Sequence, residues 1–559
     1  MKFSPIKKTG FLLSVATCAL WSGFALAQTS GTASSPAQIE KRIDEQRQRP
    51  PEELRPGQGV VAPAVPLPSG EKISFVLSAV IIEGATAFEP AELAALYRRY
   101  LATPVTEVEI REIAKAVTKL YQDAGYIFSQ ADALPQDVVD GVLTLRVTEG
   151  YVERIEVEGL DVDDPRIAGY FDAVLAERPV RLETIERALL LTNDLSGVAL
   201  ADSKVADGAT TGAKVLKLRF DTKDYNADVY LDNRGTPSSG RLQTWLSGSA
   251  NGILTTGDQL RLGFFTVPDA PQELLYGSAR WTQPLGRWGT TAELALSASK
   301  VNAGDYLADS DTESKSRRIH LTLRHPVMRS RNQSLWAIGE LDYYDLSEDR
   351  NGTDNYEDRN RFAVLGVEYY RPSLGNGDIY AKWAYTRGLD VLGASNPGNG
   401  LLSRSDGKAV FDKVTLELRR LQKIWGGLGL FVQAKGQWSN QPLLTGAEFS
   451  LGGSQYGRAY DYGELVGDSG AGALAELRYT GKKPVDWVSS YDLYVFYDGG
   501  VVWNDGGARQ TLTSVGGGVR TTVNDLAYAD IQVAKPLNRN VSTESDDDLR
   551  VLFALGASF

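Results

Sequence analysis

Residues 492–501 read Asp-Leu-Tyr-Val-Phe-Tyr-Asp-Gly-Gly-Val, and this stretch decides the fold. Side chains alternate between the two sides of an extended chain, so Leu493 and Val495 lie on one face and Asp498 on the other. The same alternation recurs in 16 short segments between residue 225 and the C-terminus. It predicts antiparallel strands with one apolar and one polar face, a pattern shared by soluble sandwiches and membrane barrels.

The connections between these segments distinguish the two folds. Odd-to-even connections average about 16 residues and even-to-odd turns about 7, the asymmetry that outer-membrane barrels have between extracellular loops and periplasmic turns. The last segment has an apolar face that ends on an aromatic residue: Val551, Phe553, Leu555, Ala557 and Phe559. We therefore predict a mainly β fold with a 16-stranded antiparallel transmembrane β-barrel at residues 223–559. Its lumen is too wide for side chains to fill, so a pore or a plug is expected.

Composition agrees with a barrel and excludes other classes. The 559-residue chain has a net charge of -12, and its mean hydropathy of -0.23 would suit a soluble protein. In a barrel only every second residue meets lipid, which accounts for that value. Beyond the N-terminus no segment has the 18 or so apolar residues of a spanning helix. An acidic chain without a Lys/Arg-rich tract also argues against nucleic acid as a partner.

The N-terminus predicts secretion. Basic residues precede an apolar run at residues 11–24, which small residues follow, as in a secretory signal peptide. We predict a signal peptide at residues 1–27, with cleavage between Ala27 and Gln28. The only cysteine, Cys18, lies inside this segment, where lipoprotein attachment is the alternative interpretation. After cleavage no thiol remains for disulfide, metal or nucleophile chemistry.

A helix and a linker follow the signal peptide. In the region 28–49, Ser35 is a candidate N-cap, Pro36 the first helical residue and Gln38 the residue three after the cap. The helix is polar on nearly every side and cannot help to build a dry core, so a solvated arm is one interpretation. Frequent prolines at residues 50–72 predict a semi-extended linker.

Two small α/β modules are predicted at residues 73–150 and 151–222. Their first strands end in similar sequences about 75 residues apart, an offset long enough for a complete module. Each module has a strand, two helices and two closing strands, and residues 75–84 are predicted as one continuous strand. Thr106 and Glu109 form a capping box at the start of the second helix.

This order of segments resembles the outer-membrane transporters of two-partner secretion, the FhaC-like and ShlB-like (HecB-like) proteins, which carry polypeptide-transport-associated (POTRA) modules. The most specific stretch of the resemblance is residues 443–470. There the family keeps a Val-Arg-Gly-Tyr/Phe tip on its sixth extracellular loop. Arg458 and Tyr460 match that tip, whereas Gly457 and Ala459 depart from it.

A second family motif, Phe-x-Asp-x-Gly, is matched by Phe496, Asp498 and Gly500. The strand alternation independently points Asp498 into the lumen. The resemblance implies that Arg458 folds back into the barrel and pairs with Asp498, anchoring the loop; a guanidinium and a carboxylate can make such a planar, two-pronged contact. The alternative is that Arg458 is a solvated loop charge.

The resemblance also implies the function, the location and the partners. An unfolded secreted partner, a large β-helical adhesin, cytolysin or toxin, would be caught by the modules and exported through the barrel, with residues 39–48 as a plug helix. The barrel would lie in the Gram-negative outer membrane, among outer-membrane lipid, with the modules in the periplasm and the barrel-assembly machinery inserting it. No cofactor is expected. A barrel-assembly factor of the same superfamily and a passive porin remain the alternatives.

Catalysis is disfavoured by the residues that a site would need. Residues 467–470, Gly-Asp-Ser-Gly, resemble the surroundings of a trypsin-like serine, which requires a histidine base. His320 and His325 are five residues apart on one predicted strand, hence on opposite faces. We therefore predict neither a catalytic residue nor a metal site.

Overall fold

The computed structural model describes residues 35–47, 74–161, 163–482, 485–524 and 526–559. The predicted signal peptide, the Ala27–Gln28 cleavage site and the whole of the predicted linker lie outside these residues. Within the described ranges, no helix is long and apolar enough to cross a membrane. The first described element is helix α1 (Pro36–Arg47), and the Oγ of Ser35 accepts the N–H of Ala37 at its start (3.3 Å).

The first module packs two helices against a three-stranded sheet. Its elements are β1 (Ser74–Val76), β2 (Ala79–Glu83), α2 (Pro90–Tyr97), a 3-10 turn (Arg98–Tyr100), β3 (Pro104–Thr106), α3 (Glu107–Asp123), β4 (Gln130–Asp132) and β5 (Val142–Thr148). The sheet order is β2-β5-β4, with β2 and β5 parallel. The predicted capping box of Thr106 and Glu109 is confirmed. The prediction of one continuous strand over residues 75–84 is wrong, because Leu77 is buried and Ser78 donates its N–H to the Gly141 carbonyl (2.8 Å).

The second module repeats this order. Its elements are β6 (Tyr151–Glu158), α4 (Pro165–Ala176), α5 (Leu182–Asn193), β7 (Val198–Asp207) and β8 (Ala213–Thr222). Its sheet order is β6-β8-β7, again with a parallel central pair. Val174, Ile185 and Leu216 belong to one buried apolar cluster between the helices and the sheet. Phe128 of the first module joins this cluster, whereas Ile113 and Leu145 belong to a separate buried cluster inside the first module.

Sixteen antiparallel strands close into a barrel, which confirms the predicted fold. They are β9 (Tyr225–Asp232), β10 (Gln243–Asn251), β11 (Gln259–Thr266), β12 (Leu274–Leu285), β13 (Thr290–Asn302), β14 (Thr312–Arg329), β15 (Ser334–Arg350), β16 (Thr353–Arg371), β17 (Gly377–Gly388), β18 (Asp412–Trp425), β19 (Leu428–Ser439), β22 (Ser469–Lys482), β23 (Val488–Trp503), β24 (Gln510–Val523), β25 (Ala527–Pro536) and β26 (Arg550–Ser558). A short hairpin of β20 (Phe449–Leu451) and β21 (Leu465–Gly467) stands outside this count. Short 3-10 turns occupy Pro237–Ser239 and Asp305–Ser310. The barrel closes where β26 pairs with β9, at a seam that runs from Ala554 opposite Asp232 to Ser558 opposite Asp228.

The alternation that predicted the barrel is present on β23. Leu493 and Val495 are 51% and 59% exposed on the outside, whereas Phe496 and Asp498 are 3% and 1% exposed on the inside. The long connections 389–411 and 440–468 lie at one end of the barrel, and turns as short as 426–427 lie at the other.

The second module docks against the short-turn end of the barrel. Arg329, at the end of β14, makes two hydrogen bonds to the Asp194 carboxylate, both 2.7 Å long. Arg166 of α4 reaches the Thr255 hydroxyl in a barrel turn at 3.2 Å. Because the modules sit at this end, the long connections lie at the opposite, extracellular end.

Candidate functional site

Helix α1 lies inside the barrel. Ile39 and Ile43 are buried against Phe265, Leu274 and Tyr276 of the barrel wall. The interpretation of this helix as a solvated arm is wrong, because Gln38, Glu40 and Arg42 are buried as well as Ile39 and Ile43. A barrel lumen is lined by polar side chains, so a helix that could not build a dry core can still be buried there.

The carboxylate of Glu40 is one polar contact between α1 and the wall. It accepts hydrogen bonds from the hydroxyls of Ser316, at 2.8 Å, and Ser297, at 3.4 Å. The guanidinium of Arg318 lies 3.6 Å from the same carboxylate. These contacts place the helix against β13 and β14.

Arg42 ties the other side of α1 to the seam of the barrel. Its guanidinium is hydrogen-bonded to Asp232 on β9 and to Gln243 on β10. It also lies over the ring of Tyr462 at 4.8 Å, a cation–π contact. Asp232 stands opposite Ala554 in the β9–β26 pairing. The plug therefore contacts the strand at which the barrel closes.

The connection 440–468 is a second occupant of the lumen. It folds inward as the β20–β21 hairpin, and Tyr456, Ala459 and Tyr460 at its tip are buried against the barrel wall. Gly457 has a φ of +81°, and a Cβ there would meet the Leu512 side chain at 2.4 Å. Glycine therefore fits this position, at which the family tip has valine, without backbone strain or a clash.

The structure brings Arg458 and Asp498 together, in a geometry that differs from the prediction. The backbone N–H of Arg458 donates to the Asp498 carboxylate at 3.2 Å, while the guanidinium Nε stays 3.8 Å away. The side chain instead donates from Nη1 to Glu476 at 2.8 Å and lies over the Phe496 ring at 4.7 Å. The predicted pairing of Arg458 with Asp498 is thus present as an ion pair, and only its two-pronged geometry is wrong. The solvated-charge alternative is also wrong, because Arg458 is 8% exposed.

Glu476 on β22 is the residue that sequence reasoning missed. Its carboxylate is fully buried and receives three guanidinium groups: Arg458 at 2.8 Å, Arg478 at 2.9 Å and Arg520 at 2.7 Å. Glu476 lies directly opposite Phe496 in the β22–β23 register. The sequence offered one signal for this residue, a carboxylate on the lumen face of β22. Only the pairing register shows that Glu476 lies beside Phe496 of the Phe-x-Asp-x-Gly motif.

The other motif residues support the tip of the loop. The hydroxyl of Tyr460 donates to the Thr513 carbonyl at 3.1 Å. Asp498 accepts a hydrogen bond from the Ser514 hydroxyl. A Cβ at Gly500 would lie 2.7 Å from the Leu451 side chain of the inward hairpin, so glycine allows the hairpin to approach the wall.

Ion pairs from neighbouring segments also hold the inward loop. Arg404, in the connection 389–411, reaches Asp468 at 2.7 Å, and Arg550 reaches Asp461 at 2.6 Å. The ammonium of Lys41 on the plug helix donates to the Glu448 carbonyl of the loop at 2.7 Å. Plug and loop are thus in direct contact.

The candidate catalytic residues take structural positions. His320 faces the lumen, 3.1 Å from Asp342, while His325 faces outward, 2.8 Å from Thr290, so their predicted opposite orientation is confirmed. Ser469 is buried and accepts the N–H of Ser439. Among the described residues, no group of three or more His, Cys, Asp or Glu side chains could hold a metal ion.

Comparison with known proteins gives the same overall architecture. Residues 215–521 match the family described as haemolysin secretion/activation protein ShlB/FhaC/HecB, and residues 75–150 match the POTRA domain, ShlB-type. The outer membrane transporter CdiB of Dickeya dadantii (strain 3937) is 24% identical over 538 residues, which cover 93% of each chain. The heme/hemopexin transporter protein HuxB of Haemophilus influenzae (strain 86-028NP) is 20% identical and covers 80% of this chain and 81% of its own.

A solved structure shares the fold over nearly the whole length. CdiB from Escherichia coli superposes with a TM-score of 0.76 at 21% identity, covering 96% of this chain and 100% of that chain. At this identity the likeness shows the fold: a 16-stranded barrel with two modules at one end.

Proposed function

Since this chain belongs to the ShlB/FhaC/HecB family of haemolysin secretion/activation proteins, we propose that it captures one unfolded secreted protein in the periplasm and exports it through its barrel. It is an outer-membrane transporter with its POTRA modules in the periplasm. The observation that carries the proposal is a barrel lumen filled by a helix and an inward loop, which pack against apolar side chains and are also held by polar contacts. Such contacts can be exchanged for water, so the lumen can be vacated.

The partner is a large secreted adhesin, cytolysin or toxin. Relatives of this chain are named as transporters of hemolysin and of heme/hemopexin, which is said of those proteins. We propose that capture occurs by strand addition at the free edge of β2 or β7, each of which is one of the two outer strands of its module sheet. Backbone hydrogen bonds at an edge give affinity with little demand on the side chains of the partner.

Export proceeds when α1 leaves its position and the inward loop shifts. The direction of transport comes from folding of the partner at the cell surface. A folding stability of about 5–15 kcal/mol is sufficient to make return improbable.

Deletion of this chain tests the function. The secreted partner should disappear from the cell surface and the medium and be degraded in the periplasm, and re-expression should restore it. The levels of other outer-membrane barrels should stay unchanged. If those barrels fall while secretion continues, the chain is an assembly factor. If only the uptake of small solutes changes, it is a porin.

Photo-crosslinking tests capture at the edge. A photoreactive residue at Ile81, which is 49% exposed on β2, should crosslink to the secreted partner during export. The same residue at Lys119, an exposed position on α3 away from the edge, is the matched control. Equal crosslinking at both positions would contradict strand addition at β2.

A further inference from the structure

A group of cations on the barrel faces outward, toward the membrane. On β14 the side chains of Ser316 and Arg318 contact Glu40 of the plug inside the lumen. Because side chains alternate along a strand, Lys315 and Arg317 point to the outside. Both are exposed.

The neighbouring strand adds a third cation. Ser299 of β13 bonds to Ser316 inside the lumen at 2.7 Å, so Lys300 faces outward. Glu313 lies between the two lysines, at 2.6 Å from Lys300 and 2.5 Å from Lys315. Asp349 stands opposite Glu313 in the β14–β15 ladder and faces the same side, so three cations and two carboxylates leave an excess of one positive charge.

Arg317 is the member of this group that is free to bind a ligand. Its partner across the β14–β15 ladder is Asp345, whose carboxylate already pairs with Arg361 at 2.8 Å. Within the described part of the chain, the Arg317 guanidinium forms no ion pair. A guanidinium with open donors matches the oxygen atoms of a phosphate.

This group of cations lies at the height of the outer surface of the membrane. Below Arg317, the outward side chains of β14 are mostly apolar, with Ile319, Leu321 and Leu323 followed by His325 and Val327. Ten residues from Arg317 to Val327 span about 33 Å of strand, or about 25 Å along the barrel axis at a tilt of about 40°, the height of the apolar band of such barrels. The cations therefore lie at the extracellular edge of the lipid face, at the level of the headgroups.

The far side of the barrel differs at the same end. There Ala471, Val501 and Thr511 are neighbours across β22, β23 and β24, and all three positions are outward-facing and uncharged. The group on β13 and β14 thus has no counterpart at these three positions, and the outward Lys535 on β25 is paired with Asp547.

We infer that Lys300, Lys315 and Arg317 form a binding site for the phosphorylated headgroup of an outer-leaflet glycolipid. The three cations can contact both phosphates of a diphosphorylated sugar, and Ile319 and Leu321 below them contact its acyl chains. The site would fix the rotation and height of the barrel on its β13–β14 side.

Lipid binding by the purified full chain tests this inference. In a neutral detergent, diphosphoryl lipid A is titrated and the bound fraction is measured by native mass spectrometry. The Lys315→Gln/Arg317→Gln double variant should bind at least tenfold more weakly than the unaltered chain. Lys535→Gln, which removes an outward cation on β25, is the matched control and should bind normally. Heat-modifiable electrophoretic mobility checks that every variant is folded.

Two further measurements test whether the site recognises a phosphorylated lipid. Monophosphoryl lipid A should bind more weakly than the diphosphoryl form, and added salt should weaken both because the site is exposed. Unchanged binding by the double variant, or an equal loss in Lys535→Gln, would overturn the site. If inorganic phosphate at millimolar concentration displaces the lipid completely, the site recognises a free anion and the lipid assignment is wrong.

Discussion

Replacing Glu476 by glutamine should release the inward loop from the barrel. The change keeps the side-chain shape but removes the charge on which Arg458, Arg478 and Arg520 converge. A hydrogen bond to a charged group contributes about 1.5–3 kcal/mol, and breaking a buried ion pair costs about 3–5 kcal/mol. Glutamine retains one acceptor oxygen, so we expect the docked loop to lose about 3 kcal/mol relative to a displaced loop. That loss is about a 150-fold shift in the equilibrium between the two states.

Thiol labelling in whole cells measures this equilibrium. Cys18 is the only cysteine and lies in the predicted signal peptide, so a single introduced thiol can be followed. Ala459→Cys places it at the fully buried loop tip, and an impermeable maleimide should label it only when the loop is displaced. Glu476→Gln should raise the labelling rate by about two orders of magnitude. The cost of fitting a sulfur atom at the tip is common to both backgrounds and cancels.

The Asp498→Asn variant tests whether Glu476, which the structure identifies, or Asp498, which the sequence motif indicates, contributes more to holding the loop. Asp498 accepts from the Arg458 backbone N–H and the Ser514 hydroxyl, and asparagine keeps an acceptor for one of them, so we expect a loss of about 1 kcal/mol. Ala508→Cys, on the exposed loop 504–509, should label at one rate in every background. The reasoning is refuted if Glu476→Gln leaves the Ala459→Cys rate within twofold, or if Asp498→Asn raises it more.

Three further outcomes follow from the contacts of the plug and the modules. Arg42→Ala removes the latch between α1 and β9 and should raise the conductance of the protein in planar bilayers, whereas unchanged conductance would show that the latch does not hold the plug. Burial alone would raise the pKa of Glu149, but hydrogen bonds from Thr86, Tyr121 and two backbone N–H groups outweigh it and lower that pKa. This carboxylate therefore stabilises the first module above the unfolded pKa of about 4.3, and that contribution is lost as the pH falls through the lower folded value. In urea denaturation of residues 74–222 followed by circular dichroism, Glu149→Gln should lower the midpoint at pH 7 and lessen its fall toward pH 3, and an unchanged acid dependence would contradict this. Arg329→Ala should speed proteolysis between the second module and the barrel by breaking both bonds to Asp194, with Arg331→Ala, which loses one exposed pair, as the milder control.

Much of the fold was predictable because the local periodicity of apolar residues indicates where strands and helices lie. The alternation around Leu493 and Val495 predicts the strands, and loop lengths predict which end is extracellular. The capping box at Thr106 is a three-residue pattern that needs no tertiary contact. The break at Leu77 escaped prediction because every residue around it favours a strand, and only the core of the module draws that side chain inward.

The site was harder to predict, because it joins residues that are distant along the chain. The resemblance pointed to Arg458 and Asp498, which do meet, but the strongest guanidinium contact is with Glu476. The alternation along a strand shows on which face a charged residue lies, but it does not show which residue pairs with it. The polar helix α1 likewise has no apolar stripe to indicate burial, since its environment is a lumen lined by hydroxyls and charges.

The sequence by itself determined the 16 strands, their two faces and the two modules, because period-two and period-3.6 patterns report local burial directly. Tertiary structure alone decided what fills the barrel. Closure of β26 on β9 brings Asp232 to Arg42, and the β22–β23 register brings Glu476 to Arg458. Both pairs depend on distances that exist only after the sheet has closed, and buried charges are stable only where such partners converge.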